Sequence, residues 1–390
     1  MIGVEEAKRR MMAAVRVLPA ETVPLARAVG RFVATDVTAP YDHPLFDVSA
    51  MDGYAFAFSG TVQQYTVVGE VPAGGVFPHV LAPGECVRIF TGGMLPQGAD
   101  TVVMQELVQR TGDRIAHADA KLKRGGNVRH TGEQVRAGDV ALPQGTLIDA
   151  ATIGLLASVG VREVAMGALP RVAVLVSGGE FIEGGMPQPG KIFGSNDVML
   201  AAALHSAGIE ATMRHVDDDR DALRKAWTEL AATHDVVLST GGVSVGDFDL
   251  IPAVLNELGA DIRFHGVLQK PGKPLLFGRL GDAAVFGLPG NPRAVMVLFR
   301  EYVLPFLQAV QGAAQPWMRS ARLPLMDQAS IKGVRAEFRA ARVANAQVQL
   351  LADEGSHMLR SLAEADAIAY IPADVRELKK DQLVEVHYLR

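Results

Sequence analysis

The 390-residue sequence predicts a multidomain α/β plus β protein. Its centre is a doubly wound, mostly parallel α/β domain with flanking β-rich domains. Three observations carry that expectation. Between residues 170 and 311, apolar strand-like runs alternate with helix-like runs, the pattern of a parallel sheet covered on both faces. Between 60 and 148, short β-branched runs are separated by Gly and Pro, and from 320 onward such runs return. The length fits two to four domains at roughly 150 residues each.

Taken in order, residues 4–30 read as two helices around Pro19 and Pro24, and residues 31–58 carry no clean period. Tyr65 to Val68, Cys86 to Phe90 and Thr101 to Met104 read as strands, and Ala150 to Ser158 as a helix ending at Gly160. Arg171 to Val176 is a continuous apolar run, as expected of a strand buried on both faces. Asn196 offers a cap for a helix over 197–207. Strands follow at 209–216 and 235–239, each with a helix after it (221–232, 250–258). Further strands are expected at 262–268, 274–278 and 283–287, and then one long helix from Pro292, which suits a first helical turn, to about Gln311. Gly312 to Pro316 marks a boundary before a small β domain.

Composition excludes several classes. With 38 basic and 43 acidic residues the net charge is −5, without the basic footprint that nucleic-acid binding needs. Usage is 49% hydrophobic and 21% charged, that of a globular protein rather than a disordered one. One cysteine, Cys86, leaves no internal disulfide and no multi-cysteine zinc site. It reads as a core residue. The longest uncharged apolar stretch, 150–161, is too short for a bilayer core of roughly 30 Å. The start carries charges where a leader needs an apolar run. A soluble, cytoplasmic protein without membrane contact is expected.

In an open parallel sheet, ligands bind outside the carboxyl ends of the strands. The connections leaving those ends carry Ser177-Gly178-Gly179-Glu180, Asp217-Asp218-Asp219, Thr240 through Asp249, Lys270-Pro271-Gly272-Lys273-Pro274 and Leu288-Pro289-Gly290-Asn291-Pro292. Thr240 to Gly246 fits an anion-cradling loop or a plain tight turn. The carboxylates Glu180, Asp217, Asp218, Asp219, Asp247 and Asp249 suit Mg²⁺, or serve as solvated turns and helix caps. Lys270 and Lys273 flank a stiff Pro-Gly turn and suit phosphate or another oxyanion. Gly242-Val243-Ser244-Val245-Gly246 matches a hydrolase nucleophile elbow in letters, but Thr240-Gly241-Gly242 intervenes between strand and serine. Asp52, in Ser49-Ala50-Met51-Asp52-Gly53-Tyr54-Ala55, and Thr91, in Phe90-Thr91-Gly92-Gly93, read physically as turn residues.

Four motifs in this order, Ser49 to Ala55, Thr240 to Gly246, Lys270 to Pro274 and Gly287 to Pro292, resemble the molybdopterin molybdenumtransferase family. That family includes bacterial MoeA and the C-terminal domain of gephyrin. The resemblance spans residues 4–389. It implies insertion of molybdate into adenylylated molybdopterin with release of AMP, using a divalent cation. It also implies an elongated homodimer whose cleft is shared between subunits, and hand-over to molybdoenzymes or from an adenylyltransferase. Four domains follow from it: 1–45 with 136–168, 46–135, 169–311 and 315–390. Carried over by motif, Asp52, Glu180, Asp218, Asp249 and Lys270 are catalytic, and Glu180, Asp218 and Asp249 hold Mg²⁺. Thr91, Gly241, Gly242, Ser244, Lys273, Pro274, Pro289, Asn291 and Ser356 contact substrate. Asp52 and Thr91 reach the cleft from the partner chain. Gly179 stands where the family often has an acid, Gly266 where it has a base, and Ala340 where it has an arginine. The alternative is a non-catalytic or divergent paralogue acting as pterin-binding scaffold or carrier.

Overall fold

The computed structural model describes residues 1–60, 64–178, 181–182, 184–243, 250–331, 333–352 and 355–389. Its central sheet has six strands in the order Ala211–Val216, Val172–Ser177, Val236–Thr240, Ala283–Leu288, Leu276–Leu280 and Asp261–His265. The first four run parallel, the fifth runs antiparallel to them, and the sixth, antiparallel to the fifth, shares their direction. Alternation along the strands builds two cores. Val172, Val174 and Val176 face the helices Asn196–Ser206 and Pro292–Leu298, while Ala173 and Leu175 face Arg220–Thr233 and Ile251–Glu257, where Trp227 is wholly buried. From Val172–Ser177 the chain first moves outward to Ala211–Val216 and then crosses back to Val236–Thr240. The order therefore reverses beside the carboxyl end of the first strand, the position where open α/β sheets leave a crevice.

Two expected helical regions turn out otherwise. Of residues 4–30 only Val4–Met12 forms an α-helix, with Glu5 and Glu6 in its first turn and Arg9 and Arg10 in its last, complementing the dipole. Val4, Ala7 and Met11 form its buried stripe against the larger core of the α/β unit. Ala20–Pro24 is instead a strand, paired antiparallel with Glu163–Gly167. Pro24 cannot continue a helix begun at Pro19, which leaves too few residues for one, and the partner strand lies far along the chain. The long helix after Pro292 is interrupted by a π-helical turn, Phe299–Val303, before resuming as Leu304–Val310. Pro305 has no N–H to offer the carbonyl four residues back, at Glu301, and the wider turn absorbs the loss.

A second six-stranded sheet orders Thr101–Met104, Gly53–Phe56, Glu85–Ile89, Gln64–Val71, Arg114–His117 and Val108–Thr111. Cys86 is fully buried in it, and burial pushes its thiol up to about 12. It is a core residue, as its apolar run implied. Gly53, directly after Asp52, sits where a Cβ would lie 1.9 Å from the Val103 carbonyl oxygen. Gly53→Ala is therefore expected to cost about 2–4 kcal/mol, because backbone rather than a flexible side chain must move. Urea unfolding of the variant followed at Tyr54 and Tyr65 checks this, and a loss below about 0.5 kcal/mol would refute the packing argument.

The terminal sheet orders Gln269–Lys270, Ala336–Ala344, Ala367–Ile371, Leu383–Tyr388 and Ser320–Pro324, with Gln347–Leu350 paired to the second of these. Its first strand belongs in sequence to the α/β unit. Gln269 pairs with Ala336 and Lys270 with Glu337, in parallel. Phe338, Ala340 and Ile368 pack into the same core as Phe299 and Tyr302.

Candidate functional site

Two adjoining cavities open at the carboxyl ends of the central strands. The first, of about 700 Å³, is lined by Lys270, Lys273 and Arg335, by Pro274, Pro289 and Asn291, and by Gly355 and Ser356. The second, of about 610 Å³, holds Asp218 and His357 on its walls with Ser177, Thr240 and Gly241. Gly242, Gly290 and Asn291 line both, so the two form one continuous cleft. Local geometry accounts for the shared wall. Gly241 and Gly242 adopt φ of +91° and +62°, a region that favours glycine. Asn196 Nδ2 donates to Thr240 Oγ1 at 2.8 Å and to the Gly290 carbonyl at 2.7 Å, tying a helix start to both glycine connections.

The first cavity is cationic. Among the described residues, Lys270, Lys273 and Arg335 have no ion-pair or hydrogen-bond partner on their side-chain nitrogens. Three positive groups without protein counter-charge around one cavity make a site for an anion. The loop that presents Ser356 is held from below. Arg293 is 1% exposed: its backbone N–H donates to the Ser356 carbonyl at 3.3 Å, and its Nη1 donates to Ser361 Oγ at 2.5 Å.

Most substrate positions expected from sequence thus converge. Lys270, Lys273, Pro274, Pro289, Asn291, Ser356, Gly241, Gly242 and Asp218 all line the cleft. Glu180, Ser244 and Asp249, with Gly179 and Asp247, lie outside the described residues. Asp219 is a helix cap, accepting from the Ala222 backbone N–H at 2.8 Å. Asp52 and Thr91 are joined to each other: Asp52 Oδ1 accepts from the Thr91 N–H and hydroxyl, each at 2.8 Å, which holds that carboxyl below the usual range. Neither lines the two cavities of its own chain. His265 has its Nε2 against the Val243 carbonyl at 2.8 Å and acts there as a donor, while Ser244 lies outside the described residues.

Sequence reasoning missed Arg335 and Arg293. Arg335 belongs to no motif spacing, and only the pairing of Gln269–Lys270 with Ala336–Glu337 carries it to the lysines. Ala340, where an arginine was sought, is 1% exposed in the core, so a cation there would be buried away from the cleft. Among the described residues, no three His, Cys, Asp or Glu side chains cluster as a metal site.

Comparison with known proteins agrees along the whole chain. Residues 2–160 match the model of the MoeA N-terminal region (domain I and II), 173–309 that described as "Probable molybdopterin binding domain", and 322–389 the MoeA C-terminal region (domain IV). The chain is 33% identical to the molybdopterin molybdenumtransferase of Bacillus subtilis, covering 100% of this chain and 94% of the relative. It is 32% identical to that of Haemophilus influenzae, over 99% and 98%. The crystal structure of the molybdopterin biosynthesis MoeA protein from Pyrococcus horikoshii superposes with a TM-score of 0.87 at 29% identity, covering both chains fully. A cationic cleft at the switch point, on a chain matched end to end in this way, places the protein in the molybdopterin molybdenumtransferase family.

Proposed function

We infer that the protein inserts molybdate into adenylylated molybdopterin, releasing AMP and the molybdenum cofactor. The observation that carries this reading is the continuous cleft, cationic at one end and carboxylate-bearing at the other. Molybdate is an oxyanion and fits the end with Lys270, Lys273, Arg335 and the Ser356 hydroxyl. The phosphoanhydride fits the glycine wall of Gly241 and Gly242, where backbone groups approach without a side chain between. The lysines counter charge on the oxyanions as the anhydride is cleaved, and no protein nucleophile is needed.

Mg²⁺ belongs to this proposal. Asp218 lines the carboxylate end, and Glu180 and Asp249 sit on neighbouring connections of the sequence. An oxygen donor set of this kind suits a hard cation. When bound, the ion would neutralise phosphate charge. The homodimer also belongs here. Asp52 and Thr91 form a ready-made polar pair outside their own chain's cleft, which supports their completing the cleft of a partner subunit. Exposed Tyr41, Leu45, Phe46 and Met51 on the approach to Asp52 are apolar surface for such a contact. Separate cores around Val33 and Leu156, around Val87, and around Val384 support four units, 1–45 with 136–168, 46–135, 169–311 and 315–390, with the first helix packed on the core of the third. A cytoplasmic location, and exchange with an adenylyltransferase and molybdoenzymes, complete the reading. Among the described residues no helix is long and apolar enough to cross a membrane.

The test combines purified protein, adenylylated molybdopterin, Mg²⁺ and molybdate, and follows AMP release and reconstitution of an apo-molybdoenzyme. Molybdate-dependent AMP release is expected, and Asp249→Ala is expected to abolish it in a folded protein. Tight binding of the pterin without AMP release would replace this reading with that of a carrier.

A further inference from the structure

The turn that carries the two cleft lysines is fixed from inside the core. Gln269, just before Lys270, is completely buried. Its Nε2 donates to the carbonyls of Pro271 and Gly272, at 3.3 and 3.4 Å. Carbonyls only accept, so the amide nitrogen must face the turn and Oε1 must face away. Oε1 accepts from the Tyr302 hydroxyl at 2.5 Å. Tyr302 is also completely buried and lies in the π-helical turn, one residue after Glu301. Gly272 closes the turn against Leu298: its φ is +84°, and a Cβ there would meet Leu298 Cγ at 2.8 Å.

We propose that Gln269 and Tyr302 are positioning residues for the oxyanion cleft, a buried relay that fixes the 270–273 turn and with it the separation of the Lys270 and Lys273 ammonium groups. The proposal rests on the assignment of those lysines to molybdate. Neither residue touches substrate. Both act through the backbone carbonyls of the turn, whose orientation decides where each lysine leaves the main chain. Burial raises the Tyr302 phenol well above its ordinary value and keeps it a donor. Without the hydroxyl, Oε1 loses its donor. Without the amide, two carbonyls and the phenol lose their partner together.

The experiment measures molybdate KM and kcat, with molybdate binding by calorimetry as a turnover-free readout, for full-length Tyr302→Phe, Gln269→Met, the double variant and Lys270→Ala. Gln269→Met keeps length and volume while removing the polar groups. Both single variants are expected to raise molybdate KM and Kd about fivefold to tenfold with a smaller change in kcat. The double variant is expected to equal Gln269→Met, because one relay is broken twice. A core role alone would lower Tm and the active fraction, leaving KM of the folded fraction at the wild-type value, and would overturn the proposal. Additive effects in the double variant would overturn the relay. If Lys270→Ala itself leaves molybdate binding unchanged, the assignment of the lysines falls, and the positioning role with it. If Lys270→Ala weakens binding while the Gln269 and Tyr302 variants do not, only the positioning role falls.

Discussion

Lys270→Ala is expected to lower kcat/KM for molybdate by roughly 10²–10³-fold while changing stability by less than about 0.5 kcal/mol. The ammonium has no partner among the described residues, so its removal strands no buried counter-charge in the free protein. What is lost appears only when an anion is present. Lys270 is half-buried at the cleft wall and its backbone is anchored on both sides, by strand pairing opposite Glu337 and by the Pro271-Gly272 turn. Little entropy is therefore spent in presenting it. Lys273 is more exposed, and solvent screens its charge, so Lys273→Ala is expected to cost only about tenfold. Lys270→Arg is not a neutral exchange, because a planar fork replaces a point charge. Steady-state kinetics with molybdate varied at two salt concentrations decide the matter. A Lys270→Ala enzyme within threefold of wild type would remove this residue from the oxyanion site.

The second large effect concerns stability. Glu301 is 1% exposed. It accepts from Lys8 Nζ at 2.8 Å and pairs with His387 Nδ1 at 2.7 Å, while His387 Nε2 lies 3.2 Å from Glu385. Lys8 also sits over the rings of Trp317, Tyr302 and Phe338. One carboxylate thereby joins the first helix, the π-helical turn and the last strand. Glu301→Gln leaves Lys8 without a counter-charge in a mostly buried setting and is expected to cost about 3–5 kcal/mol.

Its pH dependence has two sides. Burial alone would raise the Glu301 carboxyl, but the His387 hydrogen bond and the nearby positive charges bring it below the ordinary value. Its contribution is thus present above the unfolded pKa of about 4.3 and lost as pH falls through the folded one. Burial opposes the His387 cation, and the bond and charge of Glu301 overcome that and raise its pKa. That contribution is complete below about pH 6.5 and lost as pH rises through the raised value. The stability gap between wild type and Glu301→Gln should therefore be widest between about pH 4.5 and 6.5, narrowing above as His387 loses its charge, with the Lys8 part remaining. Urea titrations from pH 4 to 9 test this. A gap that stays constant across that range would refute the His387 assignment.

The central sheet was legible because both of its faces are buried, so its strands carry unbroken apolar runs such as Val172 to Val176. The cleft was legible for the same reason: the connections at the strand ends stand out as glycine, acid and lysine between those runs. What stayed hidden depends on contacts between distant positions. Ala20–Pro24 is mostly exposed and owes its strand state to Glu163–Gly167. Arg335 looks like any surface arginine until the terminal sheet docks. Lys8 and Glu301 are separated by 293 positions, and no local pattern marks either as one half of a buried pair. Gln269 resembles an ordinary polar strand residue, and its role is visible only from Tyr302.

The parallel pairing of Gln269–Lys270 with Ala336–Glu337 has a consequence for modularity. The terminal unit follows a linker at Gly312 to Pro316, which suggests a cassette that recombination could exchange. Its outermost strand, however, is on loan from the other side of that linker, and Phe338 and Ile368 are seated in a core they do not own. A chimaera spliced at the linker would inherit a sheet edge cut for a different neighbour and a lysine turn with no strand to lean on. Exchange between relatives should succeed only when residues 269–273 and 299–303 travel with the terminal unit, so the heritable block is discontinuous in the gene although contiguous in space.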